Sequence, residues 1–364
     1  MTTRTGWLST RWARLNGEQR VTGVDLARGL AVVGMLAAHL LAIDMLIDWA
    51  DPSTWIAVVD GRSSILFAVL AGVSIGLMTG GTMPLRGASL TSARLRLVVR
   101  ALLLWVLGLL LIVTGVPVYV ILPAYAILFL LTLPFLSLGP RVLLPLAAVL
   151  AVVMPFVQVV LETLPVWTTP NGDDLALAIG WHYPFPVWIA FVLAGLGVAR
   201  AGIRRWLVQW WMLGAGVLLA IIGYGFGESS PGIAPWASSP HSSGLFEVLG
   251  SGGFALAVLA TCLLVCRTVL VWVALPLRAV GAMPLTAYTA QLVAWAVIAT
   301  LVLGRAGDLT GFRALEPFGP MTLVLIGACT AWALLIGRGP LEWVLDAVSR
   351  LVPRGRPEPA QRDR

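Results

Sequence analysis

His39 carries an imidazole eleven residues after the guanidinium of Arg28, in an apolar stretch from about Val24 to Ile47 whose only basic residues are these two. An imidazole can take a proton from a hydroxyl or amine near neutral pH and return it to a leaving group. A guanidinium can hold a phosphate or carboxylate through paired hydrogen bonds. On a helix turning roughly 100° per residue, eleven steps return to within about 20° of the start and climb about 16 Å, so both side chains share one face. Asp25, three residues before Arg28, lies near that face. Ionisable groups at membrane depth cost at least about 2.5 kcal/mol each, so Asp25, Arg28 and His39 read as a catalytic site facing a wet cavity or a protein interior. Plainer readings stay open: an interhelical histidine that only ties helices together, and an Arg28 that snorkels at a helix end or pairs with Asp25.

Further candidates lie on the later segments. Asp60-Gly61-Arg62-Ser63-Ser64 opens a second helix that Ser63 and Ser64 can cap, and Gly72 and Ser74 suit close helix contact. Arg62 is either an anion ligand or a partner of Asp60. His241, with Glu247 six residues on, forms an acid/base pair if its loop folds back, and is otherwise a solvated loop histidine. Tyr288 and Gln291 make a polar stripe with Thr286, suited to substrate contact or to interhelical bonding. Asp60, Arg62, Ser63, His241, Glu247, Tyr288 and Gln291 are therefore the substrate-binding candidates. His182-Tyr183-Pro184 and most of the 16 Trp read as an interfacial aromatic belt without chemistry. Cys262, Cys266 and Cys329 lack metal-ligand spacing, no HExxH, GxSxG or phosphate-loop motif occurs, and no metal is expected.

The elements that must hold these residues follow from composition. A chain of 364 residues that is 59% hydrophobic and 11% charged, with mean hydropathy +0.92, cannot bury its apolar side chains in one water-soluble globule. The expectation is an all-α, polytopic membrane bundle. Apolar runs fall at about 24–47, 63–80, 94–114, 119–137, 142–162, 184–200, 205–226, 246–268, 277–303 and 318–337, giving ten helices, or eleven if Pro284 breaks the ninth run in two. Residues 1–23 read as a cytoplasmic, interfacial amphipathic segment rather than a signal peptide, 24–337 as the transmembrane domain and 338–364 as a cytoplasmic tail.

Charge placement fits an even number of crossings. All basic side chains other than the 3 His are Arg; of these 24, all but Arg28, Arg62, Arg305 and Arg313 fall at one side of the proposed spans. That places both termini in the cytoplasm, and it makes the net charge of +7 a mark of topology rather than of a nucleic-acid partner. The outward loops then hold Asp44, Asp48, Asp51 and Asp60, then Asp173, Asp174 and His182, then Glu228, His241 and Glu247. The loops near 163–183 and 227–245, rich in Pro, Gly, Ser and Trp, suit capping an outward cavity or binding an acceptor. No internal repeat of the kind many transporters carry is found.

The segment Arg20-Val-Thr-Gly-Val-Asp25-Leu-Ala-Arg28-Gly29 through Gly34-Met35 to His39 resembles the first helix of heparan-α-glucosaminide N-acetyltransferase-like membrane proteins, and Arg28-x10-His39 resembles the motif of type-three membrane acyltransferases. The Asp60-to-Ser74 helix, Pro284-Leu-Thr-Ala-Tyr288 and Gly339-Pro340-Leu-Glu342-Trp343 resemble a bacterial branch of the same transmembrane acyltransferase class. The resemblance implies a bundle of ten or eleven helices in a bacterial plasma membrane. Acetyl-CoA or another acyl-CoA would enter from the cytoplasm, and a histidine would promote transfer to a hydroxyl or amine of an envelope glycan or lipid. By matching position Arg28 and His39 inherit the motif's roles, and Asp25 inherits only a position. The lysosomal enzyme resembled has Asn where His39 stands and its active histidine in the next outward loop. Residues 44–60 hold no His, so the role falls to His39 in preference to His241. Arg28, with Arg94, Arg96 and Arg100 at the cytoplasmic mouth, is expected to meet the CoA phosphates, although topology alone also explains the last three. Membrane lipids are the expected surroundings, and a homodimer is compatible with the sequence. The rival function is a transporter or flippase that uses Asp25, Arg28 and His39 as relay or clamp.

Overall fold

The computed structural model describes residues 12–17, 20–43, 50–227 and 234–353, and the described residues form helices, turns and loops without a strand. Most of the expected interfacial segment, the end of the tail, and Asp44, Asp48 and Glu228 lie outside the described residues. The first helices are α1 (Thr22–Leu40), α2 (Arg62–Met78), α3 (Gly87–Ile112), α4 (Leu122–Thr132) and α5 (Pro140–Glu162). Then come α6 (Gly172–Ile179), α7 (Phe185–Ala201), α8 (Trp206–Gly227), α9 (Leu245–Val265) and α10 (Leu270–Val273). The chain closes with α11 (Leu275–Ala282), α12 (Pro284–Leu303), α13 (Leu309–Ala314), α14 (Phe318–Leu335) and α15 (Pro340–Ser349).

Each of the ten apolar runs contains a helix, but not every helix is a span. Among the described residues seven are long and apolar enough to cross a membrane, and an eighth is reached if the 3-10 turn Pro52–Val59 and α2 count as one bent element. The apolar helices Leu122–Phe135 and Phe185–Ala201 are shorter than these seven. Proline accounts for the break in the ninth run: it lacks the N–H that would continue the ladder, so α11 stops at Ala282 and Pro284 starts α12. The eight residues of α11 are too few to form an eleventh span.

α1, α2, α7 and α9 are buried along much of their length, whereas α3, α5, α8, α12 and α14 expose residues such as Leu110, Val160, Ile221, Leu301 and Leu323. That is the pattern of an inner group of helices surrounded by lipid-facing ones. Two crossings depend on glycine. A Cβ on Gly281 of α11 would strike the Asp25 carbonyl of α1, and one on Gly29 would strike the Leu277 carbonyl. Gly72 of α2 and Gly195 of α7 meet the Val192 and Val69 carbonyls in the same way. Without side chains the backbones approach closely, which is the main source of helix association where lipid removes the hydrophobic drive.

Arginines close the helix ends. Buried Arg200 donates to the carbonyls of Gly76 (3.0 Å), Gly81 (2.7 Å) and Leu136 (2.7 Å) and to Thr79 Oγ1 (2.7 Å). Buried Arg278 donates to Val271 and Leu15 carbonyls and to Asn16. Unsatisfied carbonyls at helix ends attract such donors, so two arginines that mark topology in the sequence are also structural ties. Glu342 of α15 accepts the N–H groups of Leu285 and Thr286 (2.7 and 3.1 Å) and the Thr286 hydroxyl (2.5 Å), which caps α12. The Pro284 and Gly339-Pro340 motifs, 55 or so positions apart, thus form one joint.

Candidate active site

α1 is helical from Thr22 to Leu40, so Arg28 and His39 do share a face, but they open into different cavities. Arg28 lines a cavity of about 420 Å³ at the arginine-rich end of the bundle, with Arg20, Arg100 and Arg338 on its wall. His39 lines one of about 210 Å³ at the other end, with Asp60, Ser63, His241, Tyr288 and Arg313. Along α1, Ala31 and Val32 lie between them, and along α2, Val69 and Leu70 lie between Ser64 and Ser74; all four are buried. The single crevice expected from helix periodicity is two chambers with an apolar layer between.

In the arginine-rich chamber the Asp25 carboxylate, 3% exposed, takes Arg20 Nε at 2.5 Å and Arg28 Nη1 at 3.1 Å. The second Arg28 nitrogen donates to Ser74 Oγ at 2.6 Å. Asp25 therefore binds two guanidiniums and makes no approach to His39, from which it lies at the far end of α1. Arg100 Nη2 stands 3.6 Å from Asp346, which also pairs with Arg338 and Arg350. Arg96 and Arg100 line an adjoining cavity of about 360 Å³ between α2 and α3. Arg94 departs from the expectation: its Nε donates to the Leu133 carbonyl at 3.2 Å and it lines none of these cavities. A helix-end carbonyl outcompetes an open mouth for that side chain.

In the opposite chamber His39 is half-buried; its Nδ1 is buried and finds no hydrogen-bond partner among the described residues. Its carbonyl accepts from Nε and Nη2 of Arg313 at 3.1 and 2.9 Å. Ser63 reaches the cavity because Gly34 of α1 leaves room for its hydroxyl. Tyr288 lines the cavity and its hydroxyl accepts the Ile121 N–H at 3.3 Å. Gln291, 3% exposed, lies one turn further along α12; neither its Oε1 nor its Nε2 has a partner among the described residues, and it does not line the cavity.

The His241 loop does fold back, with a different division of labour from the expected pair. Glu247 accepts the main-chain N–H groups of His241 and Ser243, each at 2.6 Å, and the Ser242 hydroxyl at 3.2 Å. This fixes His241 and Ser243 in left-handed conformations (φ 63° and 55°), which non-glycine residues rarely adopt unless held. The His241 ring instead meets Asp60, Nε2 to Oδ1 at 3.3 Å. That hydrogen bond raises the imidazole pKa above its ordinary value, with Glu247 adding to the rise against the loss of solvent. Arg62 is engaged by protein groups on another helix and the main chain. It is buried, donates to Tyr224 Oη (2.6 Å) and the Ala57 carbonyl (3.1 Å), and lies 4.7 Å over the Tyr224 ring.

A wider chamber of about 640 Å³ shares Tyr119, Tyr183 and His241 with the His39 cavity. Trp167 stacks on Trp181 at 4.4 Å and Tyr119 on His182 at 3.5 Å, with Glu162 and Asp173 on the same wall. Burial lowers the His182 pKa. All three histidines of the chain thus border the joined chambers, including His182, to which the sequence reading gave no role. Arg313 was also missed. Its only sequence signal was that it is one of three arginines placed outward against the general trend.

A family model described as heparan-alpha-glucosaminide N-acetyltransferase, catalytic, matches residues 20–224, more than half of the chain. A second, described as a protein of unknown function (DUF418), matches residues 198–350. No curated protein matches the chain. His39, Asp60 and His182 fall within the first match, and His241, Tyr288 and Arg313 within the second. The cavity that holds His39 is therefore built from both.

Proposed function

The chain belongs to the heparan-alpha-glucosaminide N-acetyltransferase catalytic family, a family of membrane acetyltransferases, and we propose that it moves an acyl group, acetyl in the first instance, from acyl-CoA to a hydroxyl or amine of an envelope sugar or lipid. The observation that carries this reading is the placement of His39, which lines a cavity with Asp60, Ser63, His241 and Tyr288 at the opposite end of α1 from a cluster of arginines, and whose Nδ1 has no hydrogen-bond partner among the described residues.

The donor supplies an activated carbonyl in its thioester and phosphates for recognition. Arg28, Arg100 and Arg338 around the 420 Å³ chamber have the donor chemistry for phosphate oxygens, and the surplus of guanidinium over carboxylate there suits an anion. The thioester arm of the donor has to pass the layer of Ala31, Val32, Val69 and Leu70 to reach His39, which takes the proton from the acceptor N–H or O–H as that atom attacks the carbonyl. When the C–S bond breaks, His39 returns the proton to the departing sulfur, leaving acylated acceptor and free thiol. His241, whose ring meets Asp60 at the rim of the same cavity, is placed to give a hydrogen bond to an acceptor or developing oxyanion. The stacked Trp167 and Trp181 with Glu162 and Asp173 suit the apolar faces and hydroxyls of a sugar ring. The arginine-rich end would face the cytoplasm of a bacterial cell and the aromatic chamber the outside.

Purified protein given acetyl-CoA and a panel of amino sugars and glycolipids tests the reading by release of free thiol. Transfer that vanishes in a folded His39→Ala variant supports it, and unchanged release removes His39 from the reaction. One feature also suits a transporter, namely two end chambers with the buried side chains of Ala31, Val32, Val69 and Leu70 between them. Sealed vesicles without acyl-CoA separate the two: uptake of substrate there would favour transport.

A further inference from the structure

Arg313 lies 274 positions from His39 in the chain, outside the acetyltransferase match, and yet binds it directly. Its helix, α13, is capped by Asp308, whose carboxylate accepts the Gly311 N–H at 2.9 Å and fixes the start of the turn. Arg313 then places two nitrogens on the His39 carbonyl. That carbonyl is in the last turn of α1, where the intrahelical N–H partners have run out, so it needs an external donor.

The ring side of His39 is reached from the same short helix. Phe312, 0% exposed, stacks on Trp295 with centroids 5.1 Å apart and planes 9° from parallel. The Trp295 ring lies 6.5 Å from the His39 ring at a 51° tilt. One residue of α13 thus ties the His39 main chain and its neighbour backs the indole beside the imidazole. Arg313 lines the His39 cavity as well, so the tie is made at the chamber wall and not in the remote core.

We propose that Arg313 is the positioning residue for His39, anchoring the end of α1 so that the imidazole stays aimed into the outer cavity; this rests on the reading of His39 as the base. The half of the chain matched only as a protein of unknown function would then serve to set the histidine carried by the acetyltransferase half. A bare helix-end tie would stabilise the fold without affecting the ring, and that difference is measurable.

The full chain, labelled with ¹³C at its three histidines, gives three ring signals, of which His39 is identified by its loss in H39Q. In R313A the His39 signal is expected to shift and broaden while that of His182 stays in place. The kcat for acetyl transfer is expected to fall about tenfold or more, the scale of one lost charge-assisted hydrogen bond, with KM for acetyl-CoA within about twofold. R313K, which keeps a cationic donor, should recover at least half of the lost rate. Should R313A fail to fold, R313K should keep the His39 signal in place and R313Q should move it; the reverse order overturns the proposal. An unmoved signal with unchanged kcat overturns it too, as does a lower Tm without any change at His39. A moved signal in a chain whose wild type transfers no acetyl group leaves the anchor standing and removes the acetyltransferase reading instead.

Discussion

The ring of His241 and the carboxylate of Asp60, 181 positions apart in sequence, meet at 3.3 Å at the rim of the chamber that holds His39. The contact joins the loop before α9 to the start of α2, and it divides the two histidines chemically: one is engaged with a carboxylate, the other has a ring nitrogen without a partner among the described residues.

Asp60→Asn should therefore lower the His241 pKa. Raised above its unfolded value near 6.5, the imidazolium adds stability below that pH, and the contribution fades as pH rises through the higher folded value. His241 is 50% exposed in its side chain, so the gain is on the order of a few tenths of a kcal/mol. The ¹³C titration of the His241 ring in wild type and D60N checks the direction; a midpoint that stays or climbs in D60N contradicts it.

His39→Ala should cost about 10²–10⁴-fold in acetyl transfer, the range that a positioned acid/base group contributes. Thermal unfolding should change little, because Nδ1 makes no hydrogen bond among the described residues. Thiol release from acetyl-CoA with an acceptor present measures the first, and calorimetry in detergent the second.

Arg28→Ala and Arg100→Ala should each raise the apparent KM for acetyl-CoA by about tenfold, the scale of one charge-assisted hydrogen bond, with a smaller effect on kcat. Arg94→Ala, whose side chain is spent on the Leu133 carbonyl, should leave KM within about twofold. Equal effects from all three would mean that general positive charge, and not the chamber, attracts the donor.

Asp25→Ala should destabilise the bundle by about 3–5 kcal/mol, because it leaves Arg20 and Arg28 facing each other without the buried carboxylate. Gly281→Leu should also lower stability, by at least about 1–3 kcal/mol, since its side chain would enter the α1 backbone at Asp25. Denaturation followed by tryptophan fluorescence in detergent reports both. A G281L protein with wild-type stability would show that α1 and α11 do not need this close approach.

What could be read from the chain alone was whatever depends on local periodicity and composition. Apolar runs locate helices, Pro284 locates a break, arginine asymmetry sorts the loops, and a 3.6-residue turn aligns Arg28 with His39. Periodicity sets the direction in which a side chain leaves its helix, but says nothing of which neighbour covers each level. The apolar layer that splits Arg28 and His39 into two chambers, and the short lengths of the helices in the runs at 119–137 and 184–200, were therefore decided only by packing. The same holds for pairs brought together by distant segments: His241 with Asp60, Arg62 with Tyr224, and Arg313 with the His39 carbonyl. Each depends on where a loop returns after many crossings, and close backbone contacts such as Gly29 with Gly281 fix that return in three dimensions.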